Sequence, residues 1–245
     1  MNIALLGYGR MGHTIERLAV AAGHTVVVTI DVGEEEEKFS SPEFARAHVA
    51  IDFSAPTAAY SLCRRALQAG KPVVSGTTGW EDQRAELIRL VQASGGTFFY
   101  ASNFSIGVNL FFALNRYLAG AMQRFMPPYR PTLEEAHHIH KLDAPSGTAC
   151  TLAQDLVAAV PQIQGYRLVG AEETLAPDTL PVTAIREGEE VGRHSVRYTS
   201  PQDYIQITHQ AFSREGFAAG AVMAAEYCLN HSGILSMQQM LGLDQ

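Results

Sequence analysis

Ile3-Ala4-Leu5-Leu6-Gly7-Tyr8-Gly9-Arg10-Met11-Gly12 decides how the first half of this chain folds. Four apolar residues without alternation read as a short strand buried on both faces, as in the interior of a parallel sheet. Three glycines at the spacing G-x-G-x-x-G then open a helix expected to run to about Ala22, with Met11, Ile15, Leu18 and Ala22 on one face. Gly23 ends it, and Thr25 to Ile30 is a β-branched second strand followed by Asp31. A glycine pattern of this kind acquires meaning from that strand, turn, helix and strand context. Gly7 permits the tight turn, Gly9 lets the backbone approach a pyrophosphate, and Gly12 lets helix and strand pack closely. The helix start adds free N–H groups and a positive dipole end, so Gly7, Tyr8, Gly9, Arg10, Met11 and Gly12 are expected to bind a dinucleotide cofactor. Asp31 stands where a carboxylate binds ribose hydroxyls.

The strand–helix pattern repeats. Val49 to Ser54 is a third strand, Thr57 to Ala69 a helix stopped by Gly70, Pro72 to Ser75 a fourth strand, Glu81 to Ser94 a helix, and Thr97 to Tyr100 a fifth strand. Such alternation over a hundred residues means an α/β fold with a Rossmann-type doubly wound parallel sheet. Ligands on these sheets collect at the C-terminal strand ends. Those ends carry Gly7 to Gly12, Asp31, Phe53-Ser54, Gly76-Thr77-Thr78-Gly79 and Ala101-Ser102-Asn103-Phe104. In isolation Gly76 to Gly79 reads equally well as a plain turn. At this sheet edge its small residues and hydroxyls suit a nicotinamide ribose. Cofactor choice turns on the residues after Asp31: Val32, Gly33 and then Glu34-Glu35-Glu36-Glu37, read as a solvated loop with Lys38 its one cation. A 2′-phosphate usually needs an arginine or lysine there, so NADH is expected to serve at least as well as NADPH.

The texture changes after Gly107. A helix from Val108 to about Gln123 precedes Pro127-Pro128. Thr132 to His140 is strand-like, Ser146 to Val160 helical, and Val182 to Arg186, Gly192 to Thr199 and Tyr204 to Ala211 are strand candidates. Hairpin signals lie at Glu187-Gly188-Glu189 and Ser200-Pro201-Gln202-Asp203. Strands in succession suggest an α+β substrate domain with a mixed or antiparallel sheet. Gly216 to Asn230 and Ile234 to Leu241 read as helices returning to the first domain. The expected division is a dinucleotide-binding domain of residues 1–105 completed by 215–245, and a substrate-binding domain of 106–214, with hinges near Ser105–Gly107 and Arg214–Gly216.

Bulk composition narrows the function class. The 245 residues are 47% hydrophobic and 18% charged, as in ordinary soluble globular chains. A net charge of −7 argues against nucleic acid, which demands a basic face. Cys63, Cys150 and Cys228 are too dispersed for a disulfide or zinc framework and fit inert thiols in a reducing compartment. The N-terminus lacks the pattern of a signal peptide, and no run approaches the roughly 18 apolar residues of a membrane span. A cytoplasmic protein with no membrane partner is expected.

Chemistry concentrates in Glu134-Glu135-Ala136-His137-His138-Ile139-His140-Lys141-Leu142-Asp143-Ala144-Pro145-Ser146-Gly147-Thr148. If Thr132 to His140 is one strand, His138 and His140 share a face and His137 takes the other. His-x-His on a strand admits a zinc site, but His194 or His209 would have to be recruited from elsewhere. Edge-strand histidines without a task are a second reading. Histidine's pKa near 6.5 makes it an able proton donor, Lys141 supplies charge, and Ser146-Gly147-Thr148 begins a helix able to hold a carboxylate. Ser146 also suits a plain N-cap. These neighbours favour acid–base chemistry on an anionic substrate and no metal. A dehydrogenase of amino acids or sugars would not need this segment, and a nucleotide sensor would need the cofactor site alone.

The run from Glu135 to Ala149 resembles the signature of the 4-hydroxy-tetrahydrodipicolinate (dihydrodipicolinate) reductase family. The resemblance extends over nearly the whole chain through Gly7 to Gly12, Ile51-Asp52-Phe53-Ser54, Gly76 to Gly79, Ser102 to Asn109, Arg186-Glu187-Gly188, Gly192-Arg193-His194, Thr208-His209, Arg214 and Phe217-Ala218. It implies an NAD(P)H-dependent reductase of diaminopimelate and lysine biosynthesis, acting on a small cyclic dicarboxylate and usually a homotetramer joined through the substrate-domain sheets. It further implies His137 as proton donor with Lys141 as its catalytic partner. His138, Lys141, Ser146, Gly147 and Thr148 would bind substrate. Gly7 to Gly12, Asp31, Gly76, Thr77, Thr78, Ala101, Ser102, Asn103 and Phe104 would bind cofactor. Hydride would reach a ring carbon of the conjugated imine, and His137 would protonate the resulting enamine. The chain departs from longer members in its short acidic stretch from Gly33 to Ser41.

Overall fold

The computed structural model describes residues 1–170 and 175–244. The chain forms two compact units, Met1–Ile106 with Glu215–Gln245, and Gly107–Arg214. In chain order the first unit contributes β1 (Asn2–Leu6), α1 (Arg10–Ala21), β2 (Thr25–Ile30), α2 (Glu35–Phe39), α3 (Pro42–Ala45), β3 (Val49–Asp52), α4 (Pro56–Gln68), β4 (Val73–Ser75), α5 (Glu81–Ser94) and β5 (Thr97–Tyr100). The second unit comes next with α6 (Ile106–Met122, its first residue still in the first unit), β6 (Arg130–His137), α7 (Gly147–Ala159), β7 (Gly165–Leu168), β8 (Thr179–Arg186), β9 (Gly192–Thr199) and β10 (Tyr204–Ala211). The chain then returns to the first unit as α8 (Glu215–Cys228), β11 (Gly233–Leu235) and α9 (Met237–Met240).

The first unit is a six-stranded sheet in the order β11-β5-β4-β3-β1-β2, with every neighbouring pair parallel. The two-residue period of β1 explains its uninterrupted apolar run. Ile3 and Leu5 enter a core with residues of α1 and α8, while Ala4 and Leu6 enter another with residues of α4 and α5. Each fully buried leucine or isoleucine contributes about 1.5–3 kcal/mol, so a strand without polar positions is what two covered faces require.

The first unit departs from the sequence expectations at three places. On α1, Ile15 is buried and Met11 and Leu18 pack against the same core, whereas Ala22 is exposed because it caps the helix where the chain turns at Gly23. The acidic run is not a loop. Glu35, Glu36 and Glu37 occupy the first turn of α2, where their charge complements the helix dipole, and Lys38 Nζ bonds Glu34 Oε2 at 2.7 Å and the Thr29 carbonyl at 2.8 Å. The expected helix from Ile234 to Leu241 divides into β11 and α9. Gly233, Ile234 and Leu235 pair with Thr97, Phe98 and Phe99 of β5, and a Ser236–Gln239 capping box then starts α9.

The second unit is a five-stranded mixed sheet in the order β10-β9-β6-β8-β7. Central β6 runs antiparallel to β9 and parallel to β8. Its buried face packs Leu133 with Val182, Val196 and Tyr198 against Leu152 and Leu156 of α7. The strand expected to reach His140 ends at His137, so His138 and His140 do not share a strand face. Strand β7 carries no signal in the sequence. Glu187-Gly188-Glu189 is no hairpin either, since β8 and β9 flank β6 and do not pair with each other. The connection crosses the end of β6, where His138 N–H donates to the Glu190 carbonyl at 2.7 Å and Ile139 N–H to that of Gly188 at 3.2 Å. Ser200 to Asp203 does close the β9–β10 hairpin, with Thr199 opposite Tyr204. No helix among the described residues is long and apolar enough to cross a membrane.

Candidate active site

In the first unit the glycine turn sits at the sheet's switch point, where β1 lies between β2 and β3. Gly7 has φ +86°, its N–H donates to the Ile30 carbonyl at 2.8 Å, and a Cβ there would lie 2.6 Å from Ser54 Cα. A Cβ on Gly12 would lie 2.7 Å from the Gly7 carbonyl oxygen, so this glycine seats the helix on the turn. Gly9 is different. It is exposed, a Cβ would meet nothing within 4 Å, and no side chain caps the start of α1. Open backbone and an uncapped helix start fit a bound pyrophosphate. Arg10 is exposed, Tyr8 bonds Glu16 and packs on His13, and Met11 packs on the core.

Asp31 is exposed at the end of β2, its Oδ1 accepting from Val32 N–H at 2.9 Å. Lys38 is committed to Glu34 and Thr29. Thr77 is buried, its hydroxyl accepting from Ser54 N–H at 2.9 Å, while Thr78 is exposed and Gly76 packs against the Phe53 ring. Ser102 is exposed, and Asn103 Oδ1 accepts from Ser105 N–H at 2.9 Å. Phe104 is a core residue, with ring centroids of Phe53 and Phe99 each 5.7 Å away and Gly220 pressed on its carbonyl. Buried Asp52 received no role from the sequence. Burial pushes its carboxyl up against the opposing hydrogen bonds of Ser54 and Ser75, whose hydroxyls donate at 2.5 and 2.6 Å.

The reactive segment of the second unit is organised around Glu135, which is fully buried. Residues 135 and 137 share one face of β6, and Glu135 Oε2 is hydrogen-bonded to His137 Nδ1. Its other oxygen accepts from Arg186 Nη2 at 2.9 Å and from Ser146 N–H at 3.2 Å. Burial pushes the Glu135 carboxyl up, but the hydrogen bonds of His137 and Arg186 outweigh it and hold the pKa at about 2. Arg186 also reaches the carbonyls of Lys141 at 3.3 Å and Asp143 at 2.6 Å. One guanidinium thus ties the lysine loop to the carboxylate that holds the histidine. Lys141 Nζ pairs with both oxygens of Asp143 at 2.7 and 2.8 Å, which lowers the Asp143 pKa.

Ser146 caps α7 by accepting from Ala149 N–H at 3.2 Å, and its Oγ lies 3.0 Å from His194 Nε2. Gly147 and Thr148 form the first turn, whose N–H groups have no intrahelical acceptor. His138 is half-buried, with Nδ1 lacking a hydrogen-bond partner among the described residues, and His140 is exposed 3.6 Å from Glu189. His194 lies edge-on to His137 with centroids 5.1 Å apart. Burial, and then the charge of His137, hold its pKa at about 3, so it is neutral near pH 7. Glu135, His137 and His194 present ligand-type atoms within 4.8 Å of one another, a trio different from the one the sequence suggested. Arg186 on the same carboxylate competes with any metal ion for its charge. Sequence reasoning missed the parts of Glu135, Arg186 and His194. The i, i+2 spacing of Glu135 and His137 was the available signal, whereas Arg186 and His194 come from other strands.

A parallel sheet with a glycine turn at its switch point, in a chain that also carries a buried histidine, a lysine loop and a serine-capped helix start, fits a nicotinamide-dependent oxidoreductase. Models of the dihydrodipicolinate reductase N-terminus and C-terminus match residues 1–104 and 107–241. The 4-hydroxy-tetrahydrodipicolinate reductase of Christiangramia forsetii is 46% identical over 98% of both chains. That of Methanopyrus kandleri is 34% identical over 98% of this chain and 96% of its own. The chain belongs to the 4-hydroxy-tetrahydrodipicolinate reductase family and is an oxidoreductase of lysine and diaminopimelate biosynthesis. The fold is also that of a dipicolinate-bound dihydrodipicolinate reductase from Paenisporosarcina sp. TG-14, with a TM-score of 0.76 at 21% identity over 98% of both chains.

Proposed function

We propose that His137 is the proton donor in the NAD(P)H-dependent reduction of 4-hydroxy-tetrahydrodipicolinate to tetrahydrodipicolinate. The observation that carries this reading is the network in which Glu135 and Arg186 link His137, the Lys141 loop and the start of α7. The nicotinamide, when bound, supplies a hydride to a ring carbon of the conjugated imine left by loss of water. His137 then protonates the enamine, which balances the addition of one hydride and one proton. Lys141 exchanges Asp143 for a substrate carboxylate, at small cost because an exposed pair is worth about 0–1 kcal/mol. The N–H groups of Gly147 and Thr148 hold a carboxylate, with His138 beside them and Ser146 holding the turn. Gly7 to Gly12, Asp31, Gly76 to Thr78 and Ala101 to Asn103 hold the cofactor, and Phe104 supports that edge from the core. The commitment of Lys38 to Glu34 and Thr29 supports NADH being at least as good as NADPH. A cytoplasmic homotetramer joined through the second unit's sheet is the assembly we propose, supported by exposed Tyr204 and Ile205 on edge strand β10.

His137→Gln is expected to lower kcat about 10²–10⁴-fold with cofactor affinity intact, as for a lost general acid. Lys141→Ala should raise KM and lower kcat together. Steady-state oxidation of reduced nicotinamide with freshly generated cyclic imine measures both, and a near-normal kcat for His137→Gln refutes the donor assignment.

A further inference from the structure

We infer that Glu135 is a positioning residue for proton transfer, holding the His137 imidazole so that Nε2 faces the reacting substrate and fixing that ring relative to the start of α7. The inference rests on the reading of His137 as proton donor and adds to it a second residue with a separable effect.

A carboxylate with no solvent contact is costly in a protein interior unless every oxygen has partners. Glu135 has them, and their identities are informative: the proton donor on one oxygen, and Arg186 with the Ser146 N–H on the other. An ionised carboxylate accepts hydrogen bonds and donates none, so the Nδ1 it meets carries hydrogen. The exchangeable proton is then assigned to Nε2. On that side a Cβ added to Gly192 would lie 3.1 Å from Nε2, so β9 leaves the nitrogen without a covering side chain. The groups facing His137 are Glu135 on β6, Arg186 behind it on β8 and His194 on β9, and the charge of Lys141 from the following turn acts on His194. His194 is neutral and Lys141 is paired with Asp143, which leaves Glu135 as the anion that acts directly on the ring.

The test separates positioning from scaffolding. Glu135→Gln keeps the side-chain size and an acceptor but removes the charge. At pH 7 its kcat should fall about 10–100-fold, the rate equivalent of one hydrogen bond to a charged group. Glu135→Asp keeps the charge but withdraws the oxygen from His137 Nδ1, so kcat should fall there too. In a His137→Gln background, Glu135→Gln should cost little more, as expected when one residue acts through the other. Circular dichroism and the unfolding midpoint are recorded for each variant, and either single variant suffices if the other does not fold. A normal kcat in Glu135→Gln overturns the inference, as does a full additional loss in the His137→Gln background. If instead His137→Gln alone is nearly as active as the parent, it is the donor reading that fails.

Discussion

Gly192 bears on the chemistry by what it lacks. A methyl group there would lie 3.1 Å from His137 Nε2, and the imidazole is already held on its other side by Glu135. Gly192→Ala should therefore reduce kcat at least about tenfold by displacing the ring, the rate equivalent of ~1.4 kcal/mol in the barrier. Cofactor affinity, measured by fluorescence titration, should not change, and an unchanged kcat would show that the ring has room to spare. Legibility in the sequence differs between residues for a physical reason. Gly7, Gly9 and Gly12 act through local backbone geometry, so their spacing speaks for itself. Arg186 and His194 act on Glu135, His137 and Ser146 from separate strands, and nothing local to either announces that meeting. Phe104 is a different case: its place at a strand end suggests cofactor contact, and because its ring is buried among other aromatic rings such a contact would fall to its main chain.

Elements with strong local signals emerged as expected. Helix α5 and strand β5 have the bounds read from the sequence, and the five-strand alternation forms one parallel sheet. Strand β11 did not show itself, because three residues carry no periodicity and its identity comes from pairing with β5. The connection between β8 and β9 has the turn residues of a hairpin but closes over a strand inserted from far away in sequence. Helix α2 bears on cofactor choice. Its acidic first turn and the engaged Lys38 leave Asp31 with no adjacent free cation between Val32 and Lys38. NADH should match or exceed NADPH in kcat/KM, and steady-state kinetics favouring NADPH by tenfold or more would contradict this.

At the scale of the whole molecule, buried titratable groups give the two units opposite responses to acid. His194 sits at about 3 in the fold against an ordinary 6.5, so the unfolded chain binds the extra proton between those values. Its contribution to stability is complete above pH 6.5 and is lost as pH falls, with a slope of about 1.4 kcal/mol per pH unit for one proton. Glu135, depressed from 4.5 to about 2, adds the same sign below pH 4.5. Asp52 in the first unit is raised, so its contribution runs the other way, greatest in acid and declining as pH rises above 3.8. Denaturant titrations from about pH 7 to about 4.5 should show the parent losing stability more steeply than His194→Gln, by about one proton's slope. Parallel curves would place the unpaired proton elsewhere.

The first unit is discontinuous, and this gives the chain an order of completion. Residues up to Ile106 leave the ribosome with β5 as an exposed edge and with Ile51, Phe99 and Phe104 still missing α8. The whole second unit must be synthesised before Glu215 appears, a delay of roughly 5–20 s at ordinary elongation rates. The nascent nucleotide-binding half therefore spends that interval with an open apolar face and an unpaired strand, the two features that most invite aggregation. Of the two units it is the first to be begun and the last to be finished.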